Sequence, residues 1–324
     1  MLEIRHLSKL YGQNCVVDDV SFTIGTGEIV GFLGENGAGK STTMNMITGY
    51  LASSRGDILI DGINMLEEPI KAKGKIGYLP EKPPLYPDMT VGEYLDFIFD
   101  LKGVKLNKKE HIAKLCGLLQ LENVYGRLIK NLSKGYCQRV GIAQALVGDP
   151  PIIILDEPTV GLDPVQIIEI RELILSLGET KTVILSSHIL SEVQAVCQRI
   201  ILLNHGKIIA DSPAENLVGS GTDILTLKLS IMCGAEGEPS ALDGLLRSLP
   251  CVNTVKALPC DTCGAQEFLI EASSKSDVYR DVFTILAANG FYLTALSPYI
   301  PTLEEIFISL VGVDNGQCGQ DKEV

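Results

Sequence analysis

The sequence contains no uninterrupted run of about 18 apolar residues, the length that a membrane-spanning helix needs. Its mean hydropathy is nevertheless mildly positive, at +0.23. Residues 1–6 include charged side chains where a signal peptide would have its apolar core. We therefore expect no spanning segment and a cytoplasmic protein.

The sequence also has no excess of basic residues. Its 40 acidic and 27 basic side chains give a formal net charge of −13. Binding to a nucleic-acid backbone needs a basic surface, so this balance predicts no nucleic-acid partner. The apolar fraction of 46% and the charged fraction of 21% are typical of globular proteins and exclude collagen-like, disordered and coiled-coil chains. The length of 324 residues predicts about two domains.

The nine cysteines are an odd number in a chain without an export signal, which favours reduced thiols over disulfides. Cys260 and Cys263 have the spacing of a metal or redox pair, and Cys251 lies nearby in the sequence. A zinc site would need a second pair or histidines close by, and none follows. We interpret them as incidental thiols in a loop, with a metal or redox role as the alternative.

Strands alternate with helices over the first two thirds of the chain. Apolar runs predict buried strands at residues 28–33, 152–155 and 182–185. Between them, the pattern from 90 to about 148 is helical and begins with a capping box formed by Thr90 and Glu93. Strand–helix alternation around a helical insert predicts an α/β core.

The last third of the chain has a different pattern. A glycine-rich joint at residues 219–221 follows the α/β region. Beyond it, the predicted order of elements is βαββαβ, typical of a ferredoxin-like α+β domain, and a last helix is capped by Thr302. The predicted domains are therefore residues 1–218 and residues 222–324, the second being a smaller accessory domain.

The segment after the first buried strand matches the phosphate-loop pattern Gly-x-x-x-x-Gly-Lys-Ser. Its glycines let backbone N–H groups crowd around phosphate oxygens. Lys40 would supply a cation to the β- and γ-phosphates, and the Ser41 hydroxyl would ligate Mg²⁺. The predicted nucleotide-binding residues of this segment are Gly34, Glu35, Asn36, Gly37, Ala38, Gly39, Lys40, Ser41 and Thr42.

A second buried strand, residues 152–155, ends in two carboxylates, Asp156 and Glu157. An acidic strand end is usually no more than solvated. In phosphate-loop enzymes, however, such a strand lies beside the loop and its acidic end faces Mg²⁺. We therefore predict Asp156 on the metal side, and Glu157 as the general base that orients an attacking water.

Three further segments occur in the order found in ATP-binding cassette (ABC) transporters. Residues 131–136, Asn-Leu-Ser-Lys-Gly-Tyr, stand at the family signature, which is usually Leu-Ser-Gly-Gly-Gln. Residues 160–163 match the family's D-loop, and His188 matches its switch histidine. The sequence strongly resembles the ATPase subunit of ABC transporters over about residues 2–215.

The resemblance implies a phosphate-loop NTPase (RecA-like) core with an antiparallel β subdomain and a helical subdomain at about residues 82–148. It also implies ATP and Mg²⁺ as cofactors, with Glu157 and His188 as catalytic residues. Beyond the phosphate loop, the implied nucleotide-binding residues are Tyr11 as the adenine-stacking aromatic, Glu81, Ser133, Gly135 and Asp156. The implied Mg²⁺ ligands are Ser41, Glu81 and Asp156.

Three positions depart from the family pattern in ways that affect the predicted chemistry. Lys134 and Tyr136 replace a glycine and a glutamine of the signature, while Ser133 and Gly135 remain. Glu81 stands where the family usually has glutamine, so a negative charge replaces a neutral ligand. We expect function to be retained, with altered positioning of metal or water.

The resemblance extends to a branch of the family. The variant signature, the run Gly-Tyr-Leu-Pro-Glu at 77–81 and the ending Leu-Glu-Glu-Ile-Phe at 303–307 resemble ATPases paired with ABC-2-type exporters, including multidrug and gliding-motility groups. This implies a head-to-tail pair of ATPase subunits, identical or different, and a separate membrane permease. The protein would be peripheral on the inner face of the cell membrane, and the permease would dock on the loop containing Leu85 and Tyr86.

A rival interpretation is an ABC-type ATPase that acts on ribosomes or DNA ends. The ribosomal kind typically has two cassettes in one chain, and the DNA-repair kind splits its cassette with a long coiled coil. This chain has one cassette, no heptads and an acidic balance. A phosphate-loop kinase would leave residues 131–136 and His188 unexplained. The transported substrate and the role of residues 222–324 stay open.

Overall fold

The structure is a computed structural model, and it describes residues 1–217, 224–233, 242–258, 265–273, 277–299 and 305–306. The chain divides into two compact units between Ala214 and Glu215. The predicted joint at residues 219–221, the pair Cys260 and Cys263, and Thr302 lie outside the described residues. The assignment of residues 1–218 and 222–324 as functional domains stays a prediction.

The first unit combines strands and helices in alternation. Its strands are β1 (Leu2–Tyr11), β2 (Asn14–Ile24), β3 (Ile29–Gly34), β4 (Arg55–Ile60), β5 (Ile63–Asn64), β6 (Ile76–Leu79), β7 (Ile152–Asp156), β8 (Thr182–Ser187), β9 (Arg199–Asn204) and β10 (Lys207–Pro213). Its helices are α1 (Lys40–Ile47), α2 (Pro69–Lys73), α3 (Val91–Leu101), α4 (Lys108–Leu118), α5 (Lys134–Leu146), α6 (Pro164–Gly178) and α7 (Leu190–Val196), and α8 (Ala214–Leu217) spans the division.

Two sheets organise this unit. The larger has the order β10-β9-β3-β8-β7-β6, in which all strands except β10 run parallel. The smaller, β2-β1-β4-β5, is antiparallel. Strands β3, β7 and β8 are buried along their whole length, which explains the apolar runs at residues 29–33, 152–155 and 183–185. The predicted α/β core and antiparallel subdomain are confirmed.

The parallel strands place several polar side chains at one edge of the sheet. Strand β3 leads into the phosphate loop, β7 ends at Asp156, and His188 follows the end of β8. Strand β6 ends two residues before Glu81. Because the carboxyl ends of parallel strands meet at the same edge, these segments come together there.

The helical insert consists of α3, α4 and α5, with two 3₁₀ turns at Glu122–Val124 and Ile129–Asn131. Helix α3 begins with the predicted capping box. The Glu93 N–H donates to the Thr90 hydroxyl at 3.2 Å, and the Thr90 N–H donates to the Glu93 carboxylate at 2.8 Å. No helix of the described residues is both long enough and apolar enough to cross a membrane.

The second unit is an antiparallel sheet packed against helices. Its elements are β11 (Ile224–Cys233), α9 (Leu242–Arg247), β12 (Val252–Leu258), β13 (Ala265–Ser273), α10 (Val278–Ala288) and β14 (Phe291–Pro298). The sheet order is β12-β13-β11-β14, which matches the predicted ferredoxin-like arrangement βαββαβ. Its core joins Leu229 and Ile270 of the sheet to Leu246 and Val282 of the helices.

Candidate active site

The phosphate loop lies between β3 and α1, and its backbone depends on glycine. Gly37 and Gly39 have φ angles of +88° and +104°, a region that side chains rarely tolerate. A Cβ on Gly34 would overlap the carbonyl oxygen of Leu203. Gly39 is also the N-cap of α1, and no side chain caps this helix. The first N–H groups of α1 are therefore suited to an anion.

Lys40 lies under this loop. Its ammonium donates to the carbonyl oxygens of Gly34 at 2.6 Å and Glu35 at 3.1 Å. Burial lowers the pKa of Lys40, and the nearby carboxylates of Glu157 and Asp156 act in the opposite direction. The cation thus bonds the loop carbonyls and interacts with the two carboxylates. Its predicted contact with phosphates stays a prediction.

Asp156 is buried at the end of β7. Burial raises the pKa of this carboxyl, the charges of Glu157 and Glu81 raise it further, and Lys40 lowers it. These interactions place Glu81 close to Asp156, although it lies on a different segment. The three carboxylates make this edge of the sheet strongly negative around one lysine.

Glu157 has the geometry expected of a held catalytic side chain. Its φ angle is +50°, which is strained for a residue other than glycine. Its Oε1 lies 2.8 Å from Nδ1 of His188, while Oε2 is buried and has no hydrogen-bond partner among the described residues. The Glu157 side chain is 11% exposed and that of His188 is 48% exposed. An unpaired buried carboxylate oxygen is costly unless it serves a ligand or a water.

The side chains at this edge are suited to Mg²⁺ only in combination with a nucleotide. Ser41, Asp156 and Glu81 offer the hard oxygen atoms that Mg²⁺ prefers. Among the described residues, however, no three His, Cys, Asp or Glu side chains are arranged to hold a metal ion by themselves. Mg²⁺ commonly binds through one or two carboxylates together with substrate phosphates, and this donor set fits that mode.

Tyr11 lies at the end of β1, where it pairs with Asn14 of β2. Its side chain is 51% exposed, and the Lys9 ammonium lies 5.3 Å from the centre of its ring. Two residues beyond Asn14, the Val16 carbonyl oxygen lies 2.8 Å from the position of a Cβ on Gly39. The β1–β2 hairpin therefore reaches the phosphate loop at Val16. Stacking of Tyr11 on adenine stays a prediction.

The signature residues lie in a separate part of the unit. Ser133 is the N-cap of α5, and its hydroxyl accepts from the Tyr136 N–H at 3.4 Å. A Cβ on Gly135 would lie 2.6 Å from the side chain of Gln166, so the first turns of α5 and α6 pack closely. These residues line a cleft of about 620 Å³ that none of the phosphate-loop residues borders.

Lys134, the residue that replaces a signature glycine, extends over the D-loop. A Cβ on Gly161 would overlap its ammonium, and Gly161 has a φ angle of +69°. The sequence pattern identified both segments but did not predict this contact, nor that between Gly135 and Gln166. A polar residue such as Gln166 in the first turn of α6 carries no pattern that would reveal its neighbour.

Comparison with known proteins assigns the family. The sequence model of the ABC transporter family matches residues 17–160. Over 96% of this chain and 98% of the relative, the chain is 34% identical to the linearmycin resistance ATP-binding protein LnrL of Bacillus subtilis. The chain belongs to the ABC transporter ATP-binding proteins. The bacitracin transport ATP-binding protein BcrA of Bacillus licheniformis is 35% identical over 71% of this chain and 75% of its own length.

A solved structure of an ATP-binding cassette supports this family assignment. It is a dimeric ATP-binding cassette in a post-hydrolysis state, bound to ADP and Pi. Its sequence is 28% identical, its TM-score is 0.61, and the match covers 66% of this chain and 99% of that chain. The present protein is thus an ATPase, the ATP-binding subunit of an ABC transporter. These relatives favour transport over the ribosomal or DNA-linked alternative.

Proposed function

We propose that this ABC ATPase binds MgATP at the phosphate loop and hydrolyses it with Glu157 and His188. The observation that carries the proposal is the meeting of Lys40, Asp156, Glu157 and His188 at one edge of the parallel sheet. The buried, unpaired Oε2 of Glu157 supports its role, because a carboxylate there is free to accept a proton from water.

Each side chain has a distinct task in this proposal. Lys40 leaves the loop carbonyls to contact the β- and γ-phosphates, and the N–H groups of residues 34–42 surround their oxygens. Tyr11 stacks on adenine. Glu157 orients and deprotonates the attacking water, while His188 holds the γ-phosphate. Ser41, Asp156 and Glu81 would hold Mg²⁺, which would supply positive charge against the phosphates during hydrolysis.

We place the second half of each site on another copy of the chain. Ser133 and Gly135 offer a hydroxyl and an N–H group suited to a γ-phosphate, but their cleft is separate from the phosphate loop of the same chain. A head-to-tail dimer brings the cleft of one subunit to the nucleotide of the other. The dimeric cassette among the solved relatives supports this arrangement. ATP would join the two subunits, and loss of the γ-phosphate would release them.

The cellular role proposed is ATP-driven export through a separate membrane permease of the ABC-2 type. The relatives named for bacitracin transport and linearmycin resistance support this role. The docking loop places Tyr86 at the surface, 49% exposed, with its ring edge-on to Tyr94 and Phe97 at 6.0 and 5.6 Å. Because ATP is a cytosolic metabolite, we place the protein on the inner face of the cell membrane.

The Glu157→Gln variant tests the proposal. It should bind MgATP yet hydrolyse it about 10²- to 10⁴-fold more slowly, since general-base catalysis is lost. Sedimentation velocity should show a monomer without nucleotide and a stable dimer with MgATP. Lys40→Met, which removes the phosphate contact, serves as the control that should stay monomeric under both conditions.

The same variant tests the transport role. Tagged Glu157→Gln protein, applied to detergent-solubilised native membranes with and without MgATP, should capture a protein with several spanning helices. Capture of ribosomes or nucleic acid alone would contradict the transport role and leave the ATPase chemistry standing.

A Glu157→Gln protein that remains a monomer with saturating MgATP would contradict the shared site.

A further inference from the structure

Two hydrogen bonds join the loop after β7 to the segment after β8. The first is the contact between Glu157 and His188 at the site edge. The second connects the hydroxyl of Thr159, which donates, to Oε2 of Glu192 on α7. The first pair is partly open to solvent, whereas Thr159 and Glu192 are each 4% exposed. The loop after β7 and the segment after β8 are thus joined by one hydrogen bond near the surface and one in the interior.

Glu192 is a costly residue at this position. A carboxylate loses favourable solvation when it is buried, and a buried carboxylate usually has a cationic partner. Within the described ranges, no Lys, Arg or His forms an ion pair with Glu192, and Thr159 is the side chain that hydrogen-bonds it. Its neighbours Val193 and Val196 are buried apolar residues of the same helix. An apolar residue would suit this place better if packing were its whole task.

Sequence spacing connects this inner bond to the reacting groups. Thr159 lies two residues after Glu157, whose φ of +50° requires support from its surroundings. Glu192 lies four residues after His188, so both bonds join the loop after β7 to the segment that follows β8. The Thr159–Glu192 bond therefore helps to set the distance between the backbones that carry Glu157 and His188.

We infer that Glu192, acting through the Thr159 hydroxyl, is a positioning residue for Glu157 and His188 in ATP hydrolysis. The inference rests on the proposed role of Glu157. Within the described residues, no side-chain hydrogen bond joins Thr159 or Glu192 to the phosphate loop, so the pair acts on the hydrolytic step and leaves the affinity for MgATP unchanged. It holds the carboxylate of Glu157 at the distance and orientation that the attacking water requires.

Thr159→Val removes the hydroxyl with little change in shape. We expect kcat to fall between about ten- and a hundredfold, since small misplacements of catalytic groups have effects of this size, while KM and the Kd for MgATP stay within about twofold. Thr159→Ser keeps the hydroxyl and should restore kcat. Thr182→Val is the matched control, because the Thr182 hydroxyl is equally buried and bonds Gly25 and Gly27, at the opposite end of β8.

The double variant Thr159→Val with Glu192→Met separates positioning from stability. Thr159→Val alone leaves the Glu192 carboxylate unpaired and lowers Tm, whereas replacing both partners by apolar groups removes that penalty. We expect the double variant to regain Tm but to keep the low kcat. Recovery of wild-type kcat together with Tm would overturn the inference, because stability alone would then explain the loss.

Two further outcomes distinguish this inference from the function on which it rests. If Glu157→Gln retains wild-type kcat, the proposed role of Glu157 fails, whatever the Thr159 variants do. If Glu157→Gln is slow but Thr159→Val turns over ATP like Thr182→Val, only the positioning role of Glu192 fails. A rise in KM with unchanged kcat in Thr159→Val would also overturn it.

Discussion

Glu81 shows how one residue changes the electrostatics of a site without changing its fold. It stands where the family usually has glutamine, and its charge helps to raise the pKa of the buried Asp156 carboxyl. Glu81, Asp156 and Glu157 together surround the predicted metal position with three carboxylates. The phosphate loop supplies a single lysine in return. Binding of a divalent cation should therefore depend measurably on Glu81.

We predict that Glu81→Gln raises the Mg²⁺ concentration needed for half-maximal ATPase activity by about fivefold, the effect of roughly 1 kcal/mol between two charges near water. Titration of ATPase activity with Mg²⁺ at fixed ATP measures this. Glu67→Gln is the control, because Glu67 is an exposed carboxylate on a different segment. An unchanged Mg²⁺ dependence in Glu81→Gln would place residue 81 outside the metal shell.

At the scale of elements, the sequence predicted those whose signal is local. The buried runs of β3, β7 and β8 and the capping box of α3 follow from short-range chemistry. The five-residue helix α2 is too short for a helical period to show. The pairing of β9 with both β3 and β10 depends on contacts across the sheet that no local pattern contains.

The same limit applies to the site. Phosphate loop, acidic strand end and switch histidine are contiguous motifs, so the sequence predicted Lys40, Asp156 and His188 together. The hydrogen bond between Thr159 and Glu192 joins residues 33 positions apart, and neither has a motif of its own. Burial made Glu192 recognisable, and burial depends on how α7 packs against its neighbours.

The helical insert is joined to the loop after α5 by a titratable contact. Nε2 of His111 on α4 accepts from the Gly148 N–H at 3.1 Å, and burial lowers the pKa of His111 from its ordinary value of 6.5. The charge of Asp149 acts in the opposite direction, and that of Lys114 reinforces the lowering. The folded protein therefore binds fewer protons at His111 than the unfolded chain does. This contribution to stability is complete above the unfolded pKa and is lost as the pH falls below it.

His111→Gln should lose part of this pH dependence, because a glutamine amide can accept a hydrogen bond but does not titrate in this range. Between pH 7.5 and pH 5.5, we expect Tm to fall less in the variant than in the wild type. The difference should correspond to one hydrogen bond, about 1 kcal/mol in the free energy of unfolding. Thermal melts at both pH values measure the difference. Parallel declines of Tm in the two proteins would show that His111 titrates as it does in the unfolded chain.

At the scale of the whole molecule, the candidate site is incomplete within one chain. The phosphate loop, the carboxylates and His188 share one edge of the parallel sheet, whereas Ser133 and Gly135 border a separate cleft at the start of α5. In the proposed head-to-tail dimer, a second copy supplies Ser133 and Gly135 to the nucleotide of the first. In the proposed dimer, two chains therefore share each ATP.

Mixing two inactive variants tests whether two chains share each ATP. Lys40→Met disables the phosphate loop. Ser133→Asp keeps a good helix N-cap but places a negative charge against the γ-phosphate. A mixed dimer contains one site with both defects and one site with neither. We predict that an equimolar mixture regains between about one quarter and one half of wild-type ATPase activity. Random pairing makes half of the dimers mixed, whereas pairing only through the intact ATP site makes all of them mixed, and each mixed dimer keeps one of two sites. A mixture as inactive as its components, although cross-linking shows mixed dimers, would contradict the shared site.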